Sequence, residues 1–256
     1  MGDCEAADSL LNLESLRGNL VRQEDTIVFS LIERSRYPVN SRLYDVKDYA
    51  NSSASLFDFI IKESEALQAK QPAGRYISEE ENPFSPDNLP SPLLPPLNHR
   101  PVLHRPGACI NINEKILTLY LKTLLPVIAA EGDDGNYAST ATSDLHCLQA
   151  LSRRIHFGKF VAEVKFRDAP ADYIPAIRAK DREALMKLLT FEHVEEMIKK
   201  RLEKKAMTFG QDVDLVENNP SRKYKVDPSI VSQLYGEWVI PLTKFVQVEY
   251  LLLRID

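Results

Sequence analysis

Leu13, Leu16, Leu20, Ile27, Val28, Leu31 and Ile32 recur at three- and four-residue intervals, the spacing that lines one face of a helix about two dozen residues long. Arg17 falls between Leu13 and Leu20 on that stripe. Asn111 and Glu114 have the spacing of a capping box and open a helix running past Tyr120 toward Ala130, with Pro126 kinking it. A polar loop, EGDDGNYAST, follows. The next helix begins near Ser143 or Asp144, runs through LSRRIHFGKFVAEVKF at 151–166, and is broken by Pro170 and Pro175. Thr190 then caps a helix that turns Phe191, Val194, Ile198 and Leu202 inward and stops near Gly210, with Glu195 on its apolar face. Asp227 followed by Pro228 is an N-cap and N1 pair. It opens a last helix to Leu253 with Leu234, Trp238 and Leu242 as its stripe and Pro241 bending it. Within it VQVEY alternates like a strand, but the cap and the length favour helix.

Nine of the sixteen prolines lie between Pro72 and Pro106, so that stretch is a long loop or a linker. Turn-bounded strand pairs are missing. The pattern predicts an all-α architecture in one domain.

Composition narrows the function. A chain of 256 residues with 44% hydrophobic and 27% charged residues is an ordinary globule. Its net charge of −5 argues against nucleic acid or an anionic membrane as partner, and no apolar run is long enough to span a bilayer. Cys4, Cys109 and Cys147 form neither a disulfide framework nor a zinc pattern. The N-terminus, MGDCEAAD, lacks the apolar core of a secretory signal, and Ala6 departs from the myristoylation pattern that Met1-Gly2 begins. These features together predict a cytosolic protein.

Candidate chemistry concentrates on Leu151 to Phe166. Arg154 and Lys165 are eleven residues apart, almost three helical turns, so both lie on the stripe that carries Gly158, Val161 and Ala162. Charges on a small, apolar stripe call for an anionic partner, and Gly158 leaves room for a small molecule between them. Glu195 could pair with one of these cations or accept from a ligand hydroxyl. Thr243 and Gln247 share a face one turn apart. His99, His104 and Cys109 are too loosely spaced for a metal site. Neighbouring His146 and Cys147 face about 100° apart on a helix and cannot act as base and nucleophile. Gly158-Lys159 lacks the rest of a P-loop, and Asn51-Ser52-Ser53 is a sequon in letters only. No cofactor is indicated.

LNLESLRGNLVRQED at 11–25, LSRRIHFGKFVAEVKF at 151–166 and WVIPLTKFVQVEYLLLR at 238–254 resemble the all-helical chorismate mutases of plants and fungi. The resemblance spans nearly the whole chain. It implies an all-α homodimer with an active site among long helices in each subunit, and it makes the proline-rich segment at about 72–106 a loop inside one domain of residues 1–256. It also implies the pericyclic conversion of chorismate, a small dicarboxylate, to prephenate on the way to phenylalanine and tyrosine, with no metal, nucleophile or cofactor. Arg17 and Arg154 then correspond to the carboxylate-binding arginines and Lys165 to the lysine at the ether oxygen. Glu195 corresponds to the acceptor for the ring hydroxyl, Thr243 to a contact near the carboxylate, and Gln247 to the second ether-oxygen donor. Fungal members carry a glutamate at the last position, and Phe191 stands where they carry an asparagine. Regulated members bind aromatic amino acids through a loop glycine and arginines. The matching positions here are Gly74, Arg75, Ala138, Ser139 and Thr142. Gly74 replaces an arginine and Ala138 the glycine, which predicts insensitivity to these effectors. The rival reading is a non-catalytic helical interaction protein that keeps the fold.

Overall fold

The computed structural model describes residues 12–49, 52–72, 74–87, 89–95, 101–211 and 224–255. The N-terminal signals at Met1, Gly2 and Cys4, the sequon asparagine Asn51 and His99 lie outside them. The fold is all-α. Helix α1, Leu13–Arg34, is capped by Asn12, whose side chain accepts from the Ser15 amide at 2.8 Å. Its expected stripe is real: Leu16, Ile27, Val28, Leu31 and Ile32 are buried. The same helix also buries Glu24 and Arg34. Arg34 pairs with Asp144, itself a hydrogen-bond acceptor from Tyr44 and Tyr120 at 2.6 Å each. That satisfied network ties α1 to the long helix α6, Tyr137–His156.

A short hairpin, β1 Val46–Tyr49 and β2 Ser52–Ser55, is a departure from helix that the periodicity did not predict. It leads into α2, Leu56–Lys70, through a capping box formed by Ser55 and Asp58. Among its described residues the proline-rich stretch contains a 3₁₀ turn, Arg75–Ile77, and it ends at the short helix α3, Arg105–Ala108. It packs back on the helices. Buried Lys159 donates to Asn82 Oδ1 at 3.0 Å and to the Ala108 carbonyl at 3.0 Å, and His156 Nε2 accepts from the Ile112 amide at 2.9 Å. Gly107 lies against the Tyr250 ring, where a Cβ would come within 2.4 Å of ring carbon.

The capping box expected at Asn111 and Glu114 does not form. Asn111 instead accepts from the Asn113 amide at 2.9 Å, and α4 starts two residues later, Asn113–Leu119. Pro126 and Pro241 each follow a π turn, Tyr120–Leu124 before α5 (Leu125–Ile128) and Tyr235–Val239 before the last helix. Proline has no amide hydrogen and collides with the carbonyl four residues back, so a wider turn ahead of it relieves both problems. In each case the residue before the proline bonds five residues back, Leu125 to Tyr120 and Ile240 to Tyr235.

Helix α6 starts six residues before the expected Ser143, because Tyr137 to Thr140 are already helical. It yields at Phe157 to α7, Gly158–Asp168, so the expected single helix is two with a tight turn between them. Pro170 ends that run by opening α8, Pro170–Arg178, whereas Pro175 sits inside α8 rather than breaking anything. An unforeseen helix α9, Arg182–Leu189, follows, capped by Asp181. Thr190 closes α9 instead of opening the next helix, and Phe191 is the residue before α10, Glu192–Phe209. Leu202 is buried as expected, but Phe191 and Val194 are exposed. The chain finishes with α11, Pro228–Leu234, and α12, Ile240–Leu252, which packs against α7. Among the described residues no helix is long and apolar enough to cross a membrane.

Candidate active site

Arg154 lies one turn before the α6–α7 break and is 4% exposed. Its Nη1 donates to Thr243 Oγ1 at 3.3 Å, and its guanidinium carbon stands 5.8 Å from the centre of the Tyr235 ring. Thr243 donates its own proton to the Val239 carbonyl at 2.6 Å, which leaves lone pairs for the arginine. Arg154 Nε is buried with no hydrogen-bond partner, and one turn along α12 the buried Gln247 has the same deficit at Oε1. A buried guanidinium without a carboxylate beside it is costly to maintain. It is suited to an anion that arrives with a ligand.

Gly158 has a different role from the one its small size suggests. A Cβ there would lie 2.8 Å from the Thr243 carbonyl oxygen and 3.1 Å from Thr243 Cγ2. The glycine lets α12 approach α7 closely and so brings Thr243 and Gln247 beside Arg154. The space is filled by backbone.

Lys165 lies farther along α7, beyond Lys159 and Glu163. Its ammonium lies 4.6 Å from the Phe191 ring centre, inside cation–π range. Partial burial pushes its pKa down to about 8, Arg17 across on α1 acts the same way, and Glu195 opposes them. Arg17 itself is exposed on α1, not covered by the apolar stripe. Glu195, in the first turn of α10, accepts from Lys244 Nζ at 2.9 Å. Thr243 and Gln247 with Arg154, and Lys165 with Arg17 and Glu195, are thus two groups joined along α12 by the adjacent pair Thr243-Lys244.

Two residues here escaped sequence reasoning. Lys244 could have been found, since it is three residues from Gln247 and so on the same helix face. Tyr235 could not, because the π turn it opens shifts the register on which the Leu234 stripe was drawn.

The residues matched to the effector site are more scattered. Gly74 has φ +64°, with Pro92 Cγ 2.6 Å from where a Cβ would be. Arg75 donates to Gln149 Oε1 at 2.9 Å and pairs with Glu81 at 3.1 Å. It lines a cavity of about 440 Å³ with Phe29, Gln68, His146 and Arg153. Ala138, Ser139 and Thr142 are exposed on the first turns of α6, and Thr142 donates to the Ala138 carbonyl. Among the described residues, no hydrogen bond or ion pair links those three to Arg75. Ala138 is helical rather than in a loop, so its Cβ meets no backbone strain there.

A family model, chorismate mutase type II, matches residues 136–248, the stretch from α6 into α12. Chorismate mutase 2 of Petunia hybrida is 58% identical over 99% of this chain and 97% of its own length. The chain belongs to the chorismate mutase family. It is accordingly an isomerase that acts on chorismate in aromatic amino acid biosynthesis. The cytosolic chorismate mutase 2 of Zea mays is 50% identical over 98% of this chain and 99% of its own. Chloroplastic chorismate mutases of petunia and maize are similar too. A solved chorismate mutase with phenylalanine bound in its allosteric site superimposes with a TM-score of 0.86, at 50% identity over 96% of this chain and 98% of that one. Effector binding therefore occurs within the family.

Proposed function

We propose that Arg17 and Arg154 bind the two carboxylates of chorismate, that Lys165 and Gln247 donate to its ether oxygen, and that Glu195 accepts from the ring hydroxyl. The observation that carries this is the buried, incompletely partnered Arg154 beside Thr243 and Gln247. The rearrangement breaks an ether C–O bond while forming a C–C bond within one molecule, so no external nucleophile is required. What the protein supplies is geometry and charge. Two guanidinium groups gripping both carboxylates hold the enolpyruvyl chain over the ring, which removes an entropic part of the barrier. The Lys165 ammonium and a Gln247 N–H stabilise the negative charge that grows on the ether oxygen as the bond breaks. Thr243 orients Arg154 by accepting from it. Purified protein should convert chorismate to prephenate far faster than buffer does. Chorismate that persists at the buffer rate would favour the non-catalytic rival.

The same reading makes the protein a cytosolic homodimer, with residues 1–256 as one domain and the proline-rich segment as an internal loop. The bonds that Lys159 donates to Asn82 and Arg167 donates to the Val102 carbonyl support a loop rather than a linker.

Insensitivity to aromatic amino acids remains part of the proposal, on altered grounds. It rests on Gly74 in place of an arginine and on Arg75 being engaged by Glu81 and Gln149, and no longer on Ala138. An effector carboxylate would find one committed guanidinium instead of two. Initial rates at subsaturating chorismate should stay constant with phenylalanine, tyrosine or tryptophan at roughly millimolar concentration, where weak sites fill. Inhibition or activation by any of the three would remove the idea.

A further inference from the structure

Two ammonium groups compete for one carboxylate in this site. Glu195 lies within electrostatic reach of Lys165, yet its hydrogen bond goes to Lys244. Lys165 makes no hydrogen bond or ion pair among the described residues, and the Phe191 ring lies over its ammonium. Lys244 is held from a second side: its Nζ also donates to Thr190 Oγ1 at 3.2 Å. Thr190 spends its own proton on the Met186 carbonyl at 2.8 Å, in the last turn of α9, so its lone pairs are free for the ammonium. The lysine is therefore clamped between the end of α9 and the start of α10, with 16% of its side chain exposed.

We propose that Lys244 is a positioning residue for the rearrangement: it holds the Glu195 carboxylate in place for the substrate hydroxyl and keeps it off the Lys165 ammonium. The proposal rests on the roles given above to Lys165 and Glu195. A carboxylate released from Lys244 has one other cation close by on α7, and pairing with it would occupy the protons that Lys165 must aim at the ether oxygen. Such pairing would also favour the charged form of Lys165. The charged groups that bear on Lys165 are Arg17 from α1 and Glu195 from α10, with Lys244 of α12 acting through Glu195. One deletion thus has two signatures, lower activity and a lysine that titrates at higher pH.

The test is kcat/KM against pH for the wild type, Lys244→Met, Lys244→Arg, Glu195→Gln and the double variant Lys244→Met with Glu195→Gln, each checked for native helicity. Methionine keeps the length and apolar stem of lysine without the charge. At neutral pH, Lys244→Met should lose about tenfold or more, and its alkaline limb should move to higher pH. Lys244→Arg should recover most of the loss. With Glu195→Gln already in place, adding Lys244→Met should change kcat/KM by less than about twofold, because the carboxylate that must be restrained is gone. A wild-type profile in Lys244→Met would overturn the proposal. So would an undiminished loss in the double variant with an unmoved limb. Failure of the underlying functional reading looks different: the wild type would not convert chorismate, or Glu195→Gln would match it.

Discussion

Arg154→Ala should lower kcat/KM for chorismate by at least about a hundredfold while leaving the fold intact. The arginine is buried, its Nε has no partner, and its hydrogen bond within the protein goes to a hydroxyl rather than a carboxylate. Its favourable charge interaction is thus expected with the substrate. Loss of a charge-assisted pair of that kind is worth about 3 kcal/mol, which is about a hundredfold in rate. Alanine also leaves Thr243 without its donor and the Tyr235 ring without its cation, but it removes a buried charge whose desolvation was uncompensated. Thermal stability should therefore change little. Arg154→Lys should fall between the two, since it keeps the charge and loses the planar fork. Near-normal activity in Arg154→Ala, with unchanged helicity, would show that the carboxylate is bound elsewhere.

Gln247→Glu should convert a pH-independent donor into one that switches off. The amide donates at every pH, whereas a carboxyl donates only when protonated, and its unperturbed pKa is about 4.3. Gln247 is 6% exposed, so burial would raise that value, while Arg154 nearby would hold it down. The sign is the same wherever the balance falls: the variant is active below the pKa of the new carboxyl and loses activity as pH rises through it. Above it the ionised group also repels the charge developing on the ether oxygen. The wild type should instead run level from about pH 5 to the neutral range. Superimposable profiles for the two proteins in that range would mean that Gln247 does not touch the reacting oxygen.

Much of this site was readable from residue spacing, and the exceptions have physical causes. Thr243 and Gln247 share a buried face as their spacing predicts, because a buried face imposes a period that sequence preserves, whereas their meeting with Arg154 was implied by the family resemblance alone. The route by which they meet was hidden. Gly158 acts through a backbone carbonyl of α12, and contact between distant elements leaves no local pattern. Helix ends were the weak point: Thr190 and Asn111 carry capping side chains but spend them elsewhere, on Met186 and on an Asx turn. The hairpin at 46–55 was missed because its sequence, VKDYANSSAS, has no apolar alternation to announce a strand. Phe191 and Val194 fit a helical stripe yet are exposed, since a period shows which residues share a face and not whether anything covers it.

The lysine offers the most direct test of the whole account. Lys165 must carry its proton to donate to the ether oxygen, and burial together with Arg17 brings its pKa down to about 8 rather than leaving it at the value of a free side chain. Wild-type kcat/KM for chorismate, which reports the free enzyme, should therefore hold level through neutrality. It should then fall about tenfold per pH unit above about pH 8, well before ordinary lysines titrate at about 10.4. The limb of kcat should lie at higher pH, because the bound dianion favours the ammonium. A kcat/KM that stays level to about pH 10, beyond any lysine lowered in this way, would contradict the assignment of Lys165 as the charged donor on which the mechanism depends.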